Sequence, residues 1–97
     1  MSIDAAAFLV ALRKRVPAAE APHDPLANAR HLLAQNGETA EGRALRRVIQ
    51  VLASRNGTFA ESDVWLFSTE TLSLVSALID ARLSGRYEEE AWQRACR

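Results

Sequence analysis

Four bulky apolar residues stand in a row at Val64-Trp65-Leu66-Phe67, and just behind them Leu72, Val75, Leu78, Ile79 and Leu83 recur at helical spacing. The second pattern is that of a core helix, opened by Ser68 as its cap. The first is harder to place. One face of one short element cannot bury four large side chains. Either they plug a core from two sides or some of them face a partner, and any fold for this chain has to resolve that stretch.

The rest of the chain reads as helix after helix. It has 97 residues, 48% of them apolar and 25% charged, which is globular composition, and only four glycines and three prolines. The prevalence of Ala, Leu, Arg and Glu favours helix. A chain of this length forms one domain over residues 1–97, with one core and no room for a deep enclosed active site.

Helix one is expected from about Ile3 to Arg15 behind Ser2 as a cap, with Phe8, Leu9, Leu12 and Val16 as its stripe and Pro17 as its stop. An Ala/Pro-rich connector follows. Asp24-Pro25 is a start signal, because Asp accepts from free amides and Pro at the first helical position forfeits no hydrogen bond. Helix two then turns Leu26, Ala29 and Leu33 inward, with Leu32 flanking, and Asn36-Gly37 is expected to end it, with residues that tolerate a left-handed backbone. Thr39 opens helix three, with Glu41 in its positive first turn and Leu45, Val48, Ile49 and Leu52 inward, until Asn56-Gly57 closes it.

Thr58 to Glu61 match a capping box, which predicts a short helix to about Leu66. Residues 69–84 form the longest helix, about 24 Å at 1.5 Å per residue, ending before Gly85. Glu88-Glu89-Glu90 lead a last short helix that lays Tyr87, Ala91, Trp92 and Ala95 on the bundle. The expectation is an all-α fold, a compact bundle of five to six short helices with a central helix near 69–84 and no strand content.

Charge narrows the function classes. Twelve basic and twelve acidic residues give a net charge of zero, without the basic surplus of a dedicated nucleic-acid binder. Residues 1–57 carry +3 and residues 58–97 carry −3, an offset that could orient association. Cys96 is the only cysteine, so no intramolecular disulfide forms, and a reducing, cytoplasmic setting fits. The longest apolar run, Ala5 to Leu12, is eight residues, against about 20 for a membrane helix. Asp4 before it and Arg13-Lys14-Arg15 after it reverse the charge order of a signal peptide.

Little in the chain points to catalysis or a cofactor. His23, Asp24 and His31 are the only metal-like group, but the histidines are eight apart, with His23 outside the helix and Asp24 better used as a cap. No serine sits in a Gly-x-Ser-x-Gly turn, and the glycines are too isolated to cradle phosphate. Glu88, Glu89 and Glu90 point about 100° apart on a helix and do not converge. The expectation is a non-enzymatic module with no metal and no cofactor.

Two surfaces are candidates. The first joins Val64, Trp65, Phe67 and Trp92, since Trp and Arg are enriched at interface hot spots. It would serve a protein partner or a homodimer. Aromatic plugs in a small core are the competing use, and one of Trp65 and Phe67 is expected to serve so. The second is an arginine patch of Arg43, Arg46 and Arg47 on helix three, neighbours at three- and four-residue spacing, joined by Arg13-Lys14-Arg15. With the turn and short helix behind it, it suggests a helix-turn-helix contacting phosphates. The helix after the turn is acidic and then apolar, the wrong surface for DNA, so nucleic acid is the lesser reading.

Overall fold

The computed structural model describes residues 2–15, 23–54 and 57–96. Val16, Pro17, residues 18–22, Asn56 and Arg97, which entered the reading of the first helix, its connector, the turn after the third helix and the C-terminus, lie outside the described residues. In chain order the elements are β1 (Ser2–Ile3), α1 (Ala5–Arg15), α2 (Pro25–Asn36), α3 (Ala40–Ser54), β2 (Phe59–Ala60), a 3-10 helix (Glu61–Leu66), α4 (Thr69–Ser84) and α5 (Glu89–Ala95). The fold is an all-α bundle. α4 packs against α1, α2 and α3, and α3 in turn packs against α5, β2 and the 3-10 helix.

The helix ends follow their capping chemistry. Asp4, not Ser2, opens α1: its carboxylate accepts from the Ala7 amide at 2.8 Å, because Ser2 is drawn into a strand. Asp24 caps α2 by accepting from Ala27 N–H at 3.2 Å, with Pro25 in the first turn. Ser68 Oγ accepts from Thr71 N–H at 3.3 Å, and the Ser68 amide itself donates to Glu41 at 2.5 Å, tying the start of α4 to the start of α3. Gly85 ends α4 at φ 71°, the left-handed position its lack of a Cβ permits.

The corner between α2 and α3 is built differently from the sequence expectation. Gly37 adopts φ −60°, an ordinary right-handed conformation. Thr39 satisfies the end of α2, its hydroxyl donating to the Asn36 carbonyl at 2.7 Å and accepting from Gly42 N–H at 3.0 Å. Gly42 is the position that needs glycine. A Cβ there would lie 2.1 Å from the Asn36 carbonyl oxygen, so the two helices approach through its missing side chain.

Two expectations are corrected between residues 58 and 66. The chain does contain strand, a two-residue antiparallel pair in which Ser2 faces Ala60 and Ile3 faces Phe59. Two residues are too few to show a period-two pattern in sequence. Nor does the capping box form. Phe59 is buried and stacks on Phe8 with ring centroids 4.6 Å apart, which holds residues 59–60 extended. The following helix starts at Glu61 with Ala60 at its cap position and no side-chain cap.

The 3-10 geometry resolves the apolar run. With three residues per turn, side chains at i and i+3 eclipse. Val64 and Phe67 therefore share the inward edge, at 3% and 4% exposure, while Trp65 and Leu66 point out at 73% and 42%. On α3, Leu45, Val48, Ile49 and Leu52 are all buried, as are Leu72, Val75, Leu78 and Ile79 on α4. Leu83 is not: it is 68% exposed on the last turn of α4, and Leu74 takes a buried place that the stripe did not include. α4 meets three helices, so its buried arc is wider than one stripe in the middle and narrows at the end.

α5 closes the base of the bundle. Trp92 is fully buried, with Tyr87 edge-on at 5.7 Å and the Arg82 guanidinium 5.2 Å from its ring centre. Arg82 also pairs with Glu89 at 2.9 Å, and its buried Nε has no acceptor among the described residues. The aromatic ring beside that guanidinium supplies its partial negative charge instead. Gln93 anchors α5 to α3 by donating to the Ala53 carbonyl at 3.1 Å.

Candidate functional site

The four residues of the expected partner surface part company. Val64, Phe67 and Trp92 lie in the chain's own core, and Trp65 alone is presented to solvent. The surface contracts to Trp65 and what surrounds it. The physical reason is the three-residue period of the helix that carries it, which sorts adjacent apolar residues to opposite sides.

Trp65 is exposed but held. The Arg15 guanidinium lies 4.4 Å from the centre of its ring, and Arg15 Nη1 donates to the Val64 carbonyl at 2.7 Å. The second contact fixes the guanidinium, and the fixed guanidinium fixes the ring face. Arg15 stands at the C-terminal end of α1, where the helix dipole favours positive charge. Beside the ring runs a groove of about 360 Å³ between α1 and the 3-10 helix. Ile3, Ala7, Val10 and Ala11 supply apolar walls, and Lys14, Arg15 and Glu61 supply the charged ones.

The sequence reading missed this groove, although a signal for it exists. Ala7, Val10, Ala11 and Lys14 fall at i, i+3, i+4 and i+7, a second face of α1 turned away from Phe8, Leu9 and Leu12. Val10 is 55% exposed on it. An amphipathic reading takes the bulkier stripe as the core and passes over the weaker one.

The arginine patch of helix three is divided rather than gathered. Arg47 turns toward the 3-10 helix and grips Asp63 through two bonds, Nε at 3.1 Å and Nη2 at 2.8 Å. Asp63 is nearly buried, and its hydrogen bond pushes the Arg47 pKa further up. Arg46 turns the other way, into a cleft bordered by α2 and α5. Arg43 stays exposed on the α3 surface. Of the Arg13-Lys14-Arg15 run, Arg13 pairs with Asp80 of α4 at 3.2 Å and Arg15 serves Trp65.

Several of the remaining titratable groups tie elements of the fold together. Tyr87 Oη donates to Asp24 at 2.6 Å and accepts from Leu26 N–H at 3.3 Å, so α5 is tied to the start of α2. The Tyr87 bond, followed by the Ala27 amide, draws the Asp24 carboxyl below its ordinary value. Burial, followed by the bond to Asp24, pushes the Tyr87 phenol up. Cys96 is half-buried with its thiol 3.7 Å from the Ile49 carbonyl, and burial raises its pKa, away from the reactive thiolate. His23 and His31 are both exposed. Among the described residues no three His, Cys, Asp or Glu side chains gather as a metal site, and no helix is long and apolar enough to cross a membrane. No protein-family model, curated protein or solved structure matches the chain.

Proposed function

We propose that this chain is a small helical interaction module that docks a protein partner in the groove beside Trp65. The observation that carries the reading is the Arg15–Trp65 stack, in which the guanidinium lies over the ring of a tryptophan 73% exposed at the edge of an apolar groove. Side chains held before binding lose less conformational freedom on association. Tryptophan and arginine are also the residues that most often dominate interface energies.

The groove indicates the kind of partner. Its apolar walls suit one bulky aliphatic or aromatic side chain, and Lys14 with Arg15, outnumbering Glu61 on the rim, suits acidic residues beside that anchor. The occupant is a segment of another protein carrying such an anchor with acidic neighbours. A second copy of this chain is the competing occupant.

The test is a titration with acidic peptides that each carry a single Leu or Phe. Binding is read from the fluorescence anisotropy of labelled peptides, and its place on the wild-type chain from the accessibility of tryptophan to iodide, to which Trp65 is open and Trp92 closed. The expected result is protection of Trp65 by anchored peptides, no protection by the same peptides with Ala at the anchor, and loss of binding in Trp65→Ser with an unchanged helical spectrum. Binding that survives Trp65→Ser, or no binding by any anchored peptide, rejects the groove as the docking site. Light scattering across concentration separates the occupants: association of the chain alone, abolished by Trp65→Ser, replaces the partner with a second copy.

A further inference from the structure

Arg30, Arg46 and Arg94 come from three different helices, α2, α3 and α5, and line one cleft of about 280 Å³. Leu33, Ala34 and Ala95 form the rest of its wall. We propose that this cleft is an anion site for a terminal diphosphate group. It shares no lining residue with the Trp65 groove and stands independently of the docking role.

Three guanidinium groups in one cleft repel one another, and the chain has no net positive charge that would scatter arginines there by excess. Arg30 and Arg94 also line a neighbouring hollow that the Asp24 carboxylate borders, and no acidic residue lines the cleft itself among the described residues. Arg30 and Arg46 have no ion-pair partner among the described residues. Arg94 has only Glu90, one turn away on its own helix at 3.6 Å, with both side chains more than half exposed, a type of pair that contributes little. The cleft therefore gathers positive charge from three helices around one hollow.

Gly37 shows where the Arg46 guanidinium lies. Its φ of −60° is ordinary, but a Cβ there would lie 2.5 Å from the Leu33 carbonyl oxygen, so the end of α2 itself leaves no space for a side chain. A Cβ there would lie 3.1 Å from Arg46 Nη2. The missing side chain leaves room for the guanidinium to lie across the end of α2, whose negative dipole end steadies it beside the cleft.

The charge and type of the side chains choose the ligand. Arginine stays charged at every physiological pH and its fork matches phosphate oxygens two at a time. Three such forks suit a ligand with several charges on adjacent oxygens. A terminal diphosphate has that, whereas a carboxylate or a nucleic-acid phosphodiester offers one charge per group. The source is either free pyrophosphate or the diphosphate end of a nucleotide.

The experiment is calorimetric titration of the whole chain with inorganic pyrophosphate, and in parallel with a nucleoside diphosphate, orthophosphate and a single-stranded oligonucleotide. The expected result is saturable pyrophosphate binding, tighter than orthophosphate, weakened about tenfold by Arg46→Gln and likewise by Arg30→Gln, each a loss of one charge-assisted contact. Arg43→Gln, on the α3 surface outside the cleft, and Trp65→Ser leave it unchanged. Tighter binding of the nucleoside diphosphate assigns the source to a nucleotide, and equal binding assigns it to the diphosphate alone. Absence of binding at millimolar pyrophosphate, equal weakening by Arg43→Gln, or an oligonucleotide that binds more tightly than pyrophosphate overturns the assignment.

Discussion

Arg47 on α3 holds Asp63 on the 3-10 helix in a two-bond fork, and the two ends of that fork differ in their access to water. The Arg47 side chain is 52% exposed and the Asp63 side chain 9%. The carboxylate depends on the arginine more than the arginine depends on it. The fork also orients the short helix that puts Val64 inward and Trp65 outward, so it belongs to the support of the candidate site.

That asymmetry predicts an unequal double-mutant cycle. Arg47→Ala leaves a nearly buried carboxylate without its partner, which costs about 1–3 kcal/mol. Asp63→Ala leaves an arginine that turns into water and costs less. Adding Asp63→Ala to Arg47→Ala removes the stranded charge and recovers part of the loss. Urea unfolding of the four proteins reads the cycle. Equal costs for the two single variants, or strict additivity, would show that the pair contributes no more than a surface contact.

Burial along α3 and α4 predicts a graded response to truncation. Ile49 and Leu78 have no exposed surface, so Ile49→Ala and Leu78→Ala each destabilise by about 2–5 kcal/mol. Leu83→Ala, on the same helix as Leu78 but on its exposed last turn, changes stability by no more than about 0.5 kcal/mol. Denaturation midpoints at a common slope measure all three. A Leu83 variant as damaged as the Leu78 variant contradicts the way α4 is seated.

These same helices show what sequence can carry. α3 was legible almost residue by residue, because its cap at Thr39 and its inward residues Leu45, Val48, Ile49 and Leu52 are local signals on one amphipathic face. α4 was legible in its ends and its middle, but not in Leu83, since exposure at a helix end depends on where its neighbours stop. The two-residue strands were not legible at all: Ser2–Ile3 and Phe59–Ala60 are far apart in the chain and are brought together by Phe8 stacking on Phe59. The candidate site was half legible. The run around Trp65 signalled surplus apolar surface, but which pair of its residues faces in depends on how the short helix is seated against α1 and α3. Arg15 and the Arg30–Arg46–Arg94 cleft depend on tertiary placement alone, as no spacing relates residues on three separate helices.

The last prediction concerns pH and the tie between Tyr87 and Asp24. Asp24 has its pKa lowered in the folded chain, first by Tyr87 and then by the Ala27 amide, with Arg86 nearby acting in the same sense. Its contribution to stability is complete above its unfolded pKa of about 4 and is lost as pH falls through the lower folded value. Tyr87 has its pKa raised, first by burial and then by Asp24, against the smaller opposing effects of the Leu26 amide and Arg86. Its contribution is complete below its unfolded pKa of about 10 and is lost as pH rises through the higher folded value, where a phenolate would face the Asp24 carboxylate. Tyr87→Phe removes the bond to Asp24 and the acceptor for Leu26 N–H, and costs about 1 kcal/mol at neutral pH. The stability difference between wild type and Tyr87→Phe is therefore expected to be flat across the neutral range. It shrinks in acid as Asp24 takes up its proton, and again in alkali as Tyr87 loses its own. Urea titrations from acid to alkaline pH on the two proteins give that difference directly. A gap that stays constant into strong alkali would mean the phenol titrates as if free and contradict the raised Tyr87 pKa, and no gap at neutral pH would mean that the tie between α5 and the start of α2 contributes nothing to the fold.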